Sequence, residues 1–177
     1  MKRFARFLSL ALATVVAVSV FTVNSFAMSA AGEAHRRDLT AEEIQTISTI
    51  FKADQYAAMY PDIVKVLGDD PTVLLTHFIT FGIWEQRQPS MYFNVDAYAS
   101  RNYDLQYAYG DDIVSYYIHY CTYQKVETWR KTPTVQAVLW DNQSVYSVYD
   151  FVQGQYTAKK GAIPVATPSY HPGYELK

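Results

Sequence analysis

Two stretches of this chain have similar sequences. Residues 51–88 read FKADQYAAMYPDIVKVLGDDPTVLLTHFITFGIWEQRQ, and residues 93–130 read FNVDAYASRNYDLQYAYGDDIVSYYIHYCTYQKVETWR. A shift of 42 positions aligns them with 11 identities in 38 ungapped positions. The identical pairs are Phe51/Phe93, Asp54/Asp96, Tyr56/Tyr98, Ala57/Ala99, Asp62/Asp104, Gly68/Gly110, Asp69/Asp111, Asp70/Asp112, His77/His119, Thr80/Thr122 and Glu85/Glu127. A period of about 20 to 50 residues is typical of repeated supersecondary units that bury their apolar faces against one another. The shift therefore predicts two repeats, 51–92 and 93–131.

The first half of each repeat reads as two short helices. A helix over residues 54–60 is interrupted by Pro61, which has no amide hydrogen to donate into the preceding turn. Asp62 is expected to cap the next helix, which Gly68 ends. The second repeat predicts the corresponding helices over 95–102 and 104–109.

The second half of each repeat reads as a longer helix. In the first repeat Asp70 is a cap followed by Pro71 at the first helical position, and Gly82 closes the helix. The corresponding helix of the second repeat is expected over 112–123. In its apolar stripe, the positions that match Leu74, Leu75, Phe78 and Phe81 of the first repeat hold Tyr116, Tyr117, Tyr120 and Tyr123. These hydroxyls suit either a wet edge of the fold or contact with a ligand.

The segments around the repeats complete the predicted fold. Thr40 and Glu43 form a capping-box pattern at the start of a leading helix over 41–50. Residues 28–39 are expected to be a flexible leader, residues 132–160 a C-terminal capping segment, and residues 161–177 a disordered tail. The short apolar run from Val135 to Trp140 is of undetermined type. Phe151 and Tyr156 repeat the spacing of Phe51 and Tyr56, which suggests either a truncated third repeat or a cap on the pair. The expected fold is all-α, with the two 42-residue repeats of residues 40–131 packed about a pseudo-two-fold axis.

The N-terminus has the pattern of a secretory signal peptide. Basic residues precede an apolar run from Phe7 to Val23, and Ser25-Phe26-Ala27 places small residues where signal peptidase cuts. Cleavage after Ala27 is expected, and an uncleaved anchor is the alternative. The protein is therefore expected to be secreted and extracellular, in contact with the cell surface, with no membrane span after cleavage.

Charge and cysteine content exclude several classes of partner. Removal of residues 1–27 leaves 12 basic and 17 acidic residues, a net charge of −5. Such a balance disfavours nucleic acid, which requires a basic surface, and anionic lipid. Cys121 is the one cysteine, so no intramolecular disulfide can form, and a buried thiol is expected there.

The first repeat resembles a known tandem repeat. Its motifs are Phe51-Lys52-Ala53-Asp54-Gln55-Tyr56, Tyr60-Pro61-Asp62, His77-Phe78, Phe81-Gly82 and Glu85-Gln86-Arg87. They are similar to F-D-x-x-Y-Y, Y-P-D, H-Y and G-x-x-E-G-R in a roughly forty-residue helical repeat of exported surface proteins of Firmicutes. The second repeat departs from it, with Tyr103-Asp104, Gln124 and Trp129 where the motif has Pro-Asp, glycine and arginine. The resemblance implies a non-catalytic extracellular module of bacteria.

The histidines His77 and His119 lie at equivalent positions on apolar helix stripes. A shared metal or a titrating switch is one interpretation. A hydrogen bond to a backbone carbonyl or to an acid of the neighbouring repeat is the preferred one, because no cysteine or third histidine lies at ligand spacing. The expected core of the repeats comprises Phe51, Tyr56, His77, Phe78, Phe81, Phe93, Tyr98, His119, Tyr120 and Tyr123. No metal or cofactor is expected.

Catalysis finds little support in the residue pattern. Glu85 and Glu127 occupy equivalent positions, and paired carboxylates can hydrolyse glycosidic bonds. Nothing else in the sequence indicates a catalytic cleft. The pairs Asp69-Asp70 and Asp111-Asp112 are expected to cap helices instead of binding calcium, which would require a longer series of oxygen ligands. The chain is therefore predicted not to be an enzyme.

The remaining indication of function is the aromatic content of the chain, with 16 Tyr, 9 Phe and 3 Trp. Tyrosine and tryptophan stack on sugars and are enriched at protein interfaces. Those expected at turns and helix ends, where a ligand could reach them, are Trp84, Tyr92, Tyr103, Tyr107, Tyr109 and Trp129. The sequence thus predicts a binding module for cell-wall glycan or a surface protein. The alternative is a structural, self-associating spacer without a small ligand, and the oligomeric state is left open.

Overall fold

The computed structural model describes residues 28–130, 134–140 and 144–155. Within these ranges every regular element is helical, and the one β-type contact is an isolated bridge between Ser90 and Phe93. The all-α prediction is confirmed. The signal segment 1–27, the tail 161–177 and Tyr156 lie outside the described residues.

The helices follow the predicted order closely. Before the repeats come α1 (Ala30–His35) and α2 (Ala41–Ser48). The first repeat contains α3 (Ala53–Met59), α4 (Pro61–Leu67) and α5 (Pro71–His77), and α5 runs into a π-helical turn, Phe78–Gly82. The second repeat contains α6 (Val95–Arg101), α7 (Tyr103–Tyr109) and α8 (Ile113–Tyr123). The C-terminal segment contains α9 (Val135–Trp140) and a 3-10 turn, Val148–Asp150.

Local capping chemistry begins most of these helices. The capping box of Thr40 and Glu43 is present at α2, and Asp70 and Asp112 cap α5 and α8 through their side chains. The expected cap at Asp62 is wrong, because α4 already begins at Pro61. A proline suits this first position because its missing amide hydrogen would have no partner there.

The helix that follows Asp70 does not stay α-helical to Gly82. It changes to a π-helical turn over Phe78–Gly82. A side-chain carbon at Gly82 would lie 2.8 Å from the Tyr56 hydroxyl and 2.9 Å from the Phe78 ring. Glycine is thus required here because the helix passes directly against the Tyr56 hydroxyl.

Residues 28–39, expected to be a flexible leader, contain α1 and pack against distant parts of the chain. Ser29 caps α1, and a side-chain carbon at Gly32 would lie 2.3 Å from the Trp84 carbonyl oxygen. The His35 imidazole is 3.0 Å from Asp111 and stacks on Tyr149 at 4.8 Å. These contacts come from residues far away in sequence, so the local pattern did not indicate them.

Large aromatic side chains fill the core, including the tyrosines that replace leucine in the second repeat. Tyr116 and Tyr117 are fully buried. Their hydroxyls donate to the backbone oxygens of Gly110, at 2.8 Å, and Arg87, at 3.1 Å. The expectation that both lie at a wet edge or on a ligand is therefore wrong. Each hydroxyl is satisfied inside the protein, as a buried tyrosine requires.

The C-terminal segment covers α6 of the second repeat. The Val148 amide donates to Asp96 at 2.8 Å, and the Tyr146 amide donates to Ser100 at 2.9 Å. Ala97 of α6 also forms a small apolar cluster with Val135, Val138 and Val145. Phe151 joins the main core.

Candidate functional site

Each repeat holds a buried tyrosine–histidine pair. The Tyr56 hydroxyl lies 3.0 Å from Nδ1 of His77, and the Tyr98 hydroxyl lies 3.0 Å from Nδ1 of His119. The ring centroids are 6.2 Å apart in both pairs. The interpretation of the two histidines as hydrogen-bonded core residues is supported by these contacts.

A carboxylate–arginine cluster lies beside each pair. In the first repeat Arg87 contacts Glu85 at 2.5 Å and Asp62 at 3.3 Å. This contact gives Asp62 a role other than the helix cap expected for it.

In the second repeat Arg130 contacts both Glu127 and Asp104, the latter at 2.9 Å. The shift of 42 places Trp129, and not Arg130, opposite Arg87. The second repeat thus forms the equivalent ion pair with Arg130, one residue beyond the position that the ungapped alignment matches to Arg87.

Burial lowers the pKa of both imidazoles. Desolvation, followed by the positive charge of Arg87, lowers the pKa of His77 to about 4. Desolvation and then Arg130 lower the pKa of His119. Among the described residues no group of three or more His, Cys, Asp or Glu is placed to hold a metal ion.

The repeats differ in the surroundings of one matched acid. Asp54 is exposed, whereas Asp96 is fully buried. The Asp96 carboxylate accepts hydrogen bonds from Gln86, at 2.5 Å, and from the Val148 amide. Asp96 therefore fastens the C-terminal segment to the second repeat, a role that the repeat pattern alone does not indicate.

A groove of about 590 Å³ lies alongside the contact between α2 and α8. One wall is aromatic and comprises Tyr109, His119 and Tyr123. His119 contacts both tyrosines, with its ring centroid 4.9 Å from that of Tyr123 and 6.0 Å from that of Tyr109. Tyr123 is 46% exposed, so its expected place in the core is wrong. Its ring is available to a molecule in the groove.

The other lining of the groove is polar. Arg37 donates to both carboxylate oxygens of Glu43, at 2.6 and 2.9 Å, and this lowers the pKa of Glu43 to about 2. Asp112 accepts a hydrogen bond from the Ser115 hydroxyl at 2.6 Å. The hydroxyl-bearing side chains that also face the groove are those of Thr40, Thr46, Ser115 and Thr122.

The six aromatics expected to meet a ligand have different surroundings. Trp84 is 1% exposed, so its expected availability is wrong; its carbonyl accepts a hydrogen bond from Tyr149. Tyr103 and Tyr109 are half-buried. Tyr92, Tyr107 and Trp129 are exposed. Of the six, Tyr109 alone lines the groove.

The expected repeat core is also unevenly buried. The fully or nearly fully buried members are Tyr56, His77, Phe78, Phe93, Tyr98 and His119. Phe51, Phe81 and Tyr120 are partly buried at its margin. The sequence did not distinguish these positions because all of them carry large side chains at helical spacing.

No family model, curated protein or solved structure matches this chain. Among the described residues no helix combines the length and the apolar character needed to cross a membrane.

Proposed function

We propose that this chain is an exported, non-catalytic module that binds glycan of the cell wall in the groove between α2 and α8. The observation that carries the proposal is the aromatic wall of Tyr109, His119 and Tyr123, which faces carboxylates and hydroxyls. A sugar ring has an apolar face that stacks on aromatic side chains, and hydroxyls that require polar partners.

The size of the groove supports this function. Ligand pockets have volumes of about 300–1,000 Å³, and the groove has about 590 Å³. Tyr109 is held in place because its ring also packs edge-on against the buried Tyr116, at 5.4 Å. His119 is fixed by its hydrogen bond to Tyr98. A wall held in this way loses little entropy on binding, which favours affinity.

The paired repeats and export belong to the same proposal. The matched tyrosine–histidine pairs favour two copies of one unit related by a pseudo-two-fold axis. Gln86 has a φ of 56°, a conformation that favours glycine. The resembling surface-protein repeat has glycine at this place, between its glutamate and arginine, which supports the likeness and an extracellular role.

A self-associating spacer is the second candidate. It is favoured by the turn after α8, where Val126 is 69% exposed and Trp129 is 70% exposed. The Arg130–Asp104 ion pair brings this turn to the start of α7, next to Tyr103. Exposed apolar side chains grouped in this way are typical of protein contacts.

Co-sedimentation with purified cell wall tests the binding function. The full-length chain is expected to sediment with the wall, and Tyr123→Ala is expected to reduce the bound fraction severalfold. Tyr92→Ala is the matched control, because Tyr92 is 67% exposed but does not line the groove. Absence of the full-length chain from the wall pellet would contradict the proposal. Light scattering that shows a stable oligomer would then favour the spacer.

A further inference from the structure

The charges that line the groove are unequal. Three carboxylates, those of Glu42, Glu43 and Asp112, face one guanidinium, that of Arg37. Arg37 and Glu43 are joined by two hydrogen bonds and neutralise each other. The negative charges of Glu42 and Asp112 remain.

Neither remaining carboxylate forms an ion pair among the described residues. Asp112 is close enough to Arg37 to contribute to the raised pKa of that guanidinium. Its carboxylate is oriented by the hydroxyl of Ser115, a neutral donor that leaves its charge in place. Glu42 is exposed in the first turn of α2.

The aromatic wall favours the same sign of ligand charge. Tyrosine rings attract a cation that lies over their faces, and the rings of Tyr109 and Tyr123 both contact the His119 ring. Because burial lowers the pKa of His119, the imidazole opposes a cation less than an exposed histidine would.

We infer that the groove selects a saccharide carrying a free ammonium group, that is, a de-N-acetylated amino sugar, over its N-acetylated counterpart. This inference rests on the proposed glycan-binding function and specifies its ligand. The ammonium would lie between the aromatic wall and the carboxylates of Glu42 and Asp112, while the hydroxyl-bearing side chains bind the sugar hydroxyls. Sugars that carry carboxylate or phosphate would be repelled by the same two acids.

Calorimetric titration of the full-length chain with two oligosaccharides of equal length tests the inference. One is a glucosamine oligomer and the other an N-acetylglucosamine oligomer, both at one pH at which the free amine is protonated. The glucosamine oligomer is expected to bind about five- to tenfold more tightly, in keeping with one or two exposed charge pairs. Added salt should reduce this difference.

Asp112→Asn and Asp70→Asn form a matched pair of variants. Asparagine caps helices as well as aspartate does, so each change removes one charge and retains the cap of its helix. Asp112→Asn is expected to weaken glucosamine binding severalfold and to weaken N-acetylglucosamine binding less. Asp70→Asn, in the equivalent turn of the first repeat, should change neither.

The outcomes separate this inference from the proposed function. Equal affinity for the two oligomers, with both lost in Tyr123→Ala, would overturn the charge preference and leave glycan binding intact. Equal effects of Asp70→Asn and Asp112→Asn would also overturn it, because net charge alone would then explain the preference. Failure of both oligomers to bind, with no retention on cell wall, would overturn the inference and the proposed function together.

Discussion

The hydroxyl of Tyr98 lies 3.0 Å from Nδ1 of His119, the same distance that separates Tyr56 from His77. In each case the tyrosine comes from the first helix of its repeat and the histidine from the last. The hydrogen bond therefore joins the first and the last helix of each repeat. In the second repeat it also fixes the imidazole that stands in the wall of the groove.

Tyr56→Phe and Tyr98→Phe should each destabilise the protein by about 1–3 kcal/mol, since each leaves a buried histidine nitrogen without its partner. Urea unfolding measures this change. Tyr92→Phe is the control, and at an exposed position its effect should stay within about 0.5 kcal/mol. Equal midpoints for all three variants would show that the two hydrogen bonds contribute nothing.

Asp96→Ala should cost about 2–4 kcal/mol, because two buried donors, Gln86 Nε2 and the Val148 amide, lose a charged acceptor. The comparison is Asp54→Ala at the matching exposed position, with an expected change within about 0.5 kcal/mol. Thermal unfolding reports both values. Similar losses at the two positions would contradict the role of Asp96 in holding the C-terminal segment.

Gly110→Ala should be more damaging than Gly68→Ala. Both glycines have positive φ, 54° and 80°, so both changes strain the backbone by about 1–2 kcal/mol. At Gly110 the added carbon would also lie 2.4 Å from the Gln153 amide nitrogen, whereas at Gly68 it meets nothing within 4 Å. The overlap at Gly110 raises the expected loss to about 2–5 kcal/mol. Equal chemical unfolding curves would mean that residue 153 does not pack there.

Acid should destabilise the protein through His77. Its pKa is lowered from 6.5 to about 4 in the folded state, so the unfolded chain takes up the proton first as pH falls. The full stability is present above pH 6.5 and declines until pH reaches about 4, by on the order of 3 kcal/mol. Unfolding free energies measured across this range should show the slope, and His77→Phe should flatten it. The same slope in the variant would assign the acid sensitivity to other groups.

The helices and their caps were predictable because their causes are local. Pro61, Asp70 and the Thr40–Glu43 box act within one turn of the chain, and the structure shows helices that begin beside each of them. The 42-residue shift indicated that His77 and His119 have equivalent roles, but it did not indicate that Tyr56 and Tyr98 are their partners.

The features that the sequence did not indicate all depend on distant contacts. The Trp84 carbonyl lies against α1 and accepts a hydrogen bond from Tyr149, which is 65 residues away. The Asp96 carboxylate accepts a hydrogen bond from the amide of Val148, which is 52 residues away. No pattern within a repeat contains such information. Arg130 was overlooked for a different reason, because it stands one position beyond the place that a strict shift assigns to it.

The groove depends on the same kind of contact. It exists because α2 packs against α8, so Glu42 and Arg37 line the same groove as Tyr109 and Tyr123. The sequence identified Tyr109 as a candidate only because it is aromatic and at a helix end. The sequence could not show that the acidic side chains of α2 line the same groove.

Glycan binding in the groove is tested most directly by NMR of the tyrosine and histidine ring signals while the full-length chain is titrated with the glucosamine oligomer. We predict that the largest shifts occur at Tyr109, His119 and Tyr123 and saturate together, while Tyr92 stays unchanged. Shifts confined to Tyr92, Tyr107 or Trp129, or no shifts at all, would contradict a binding site between α2 and α8.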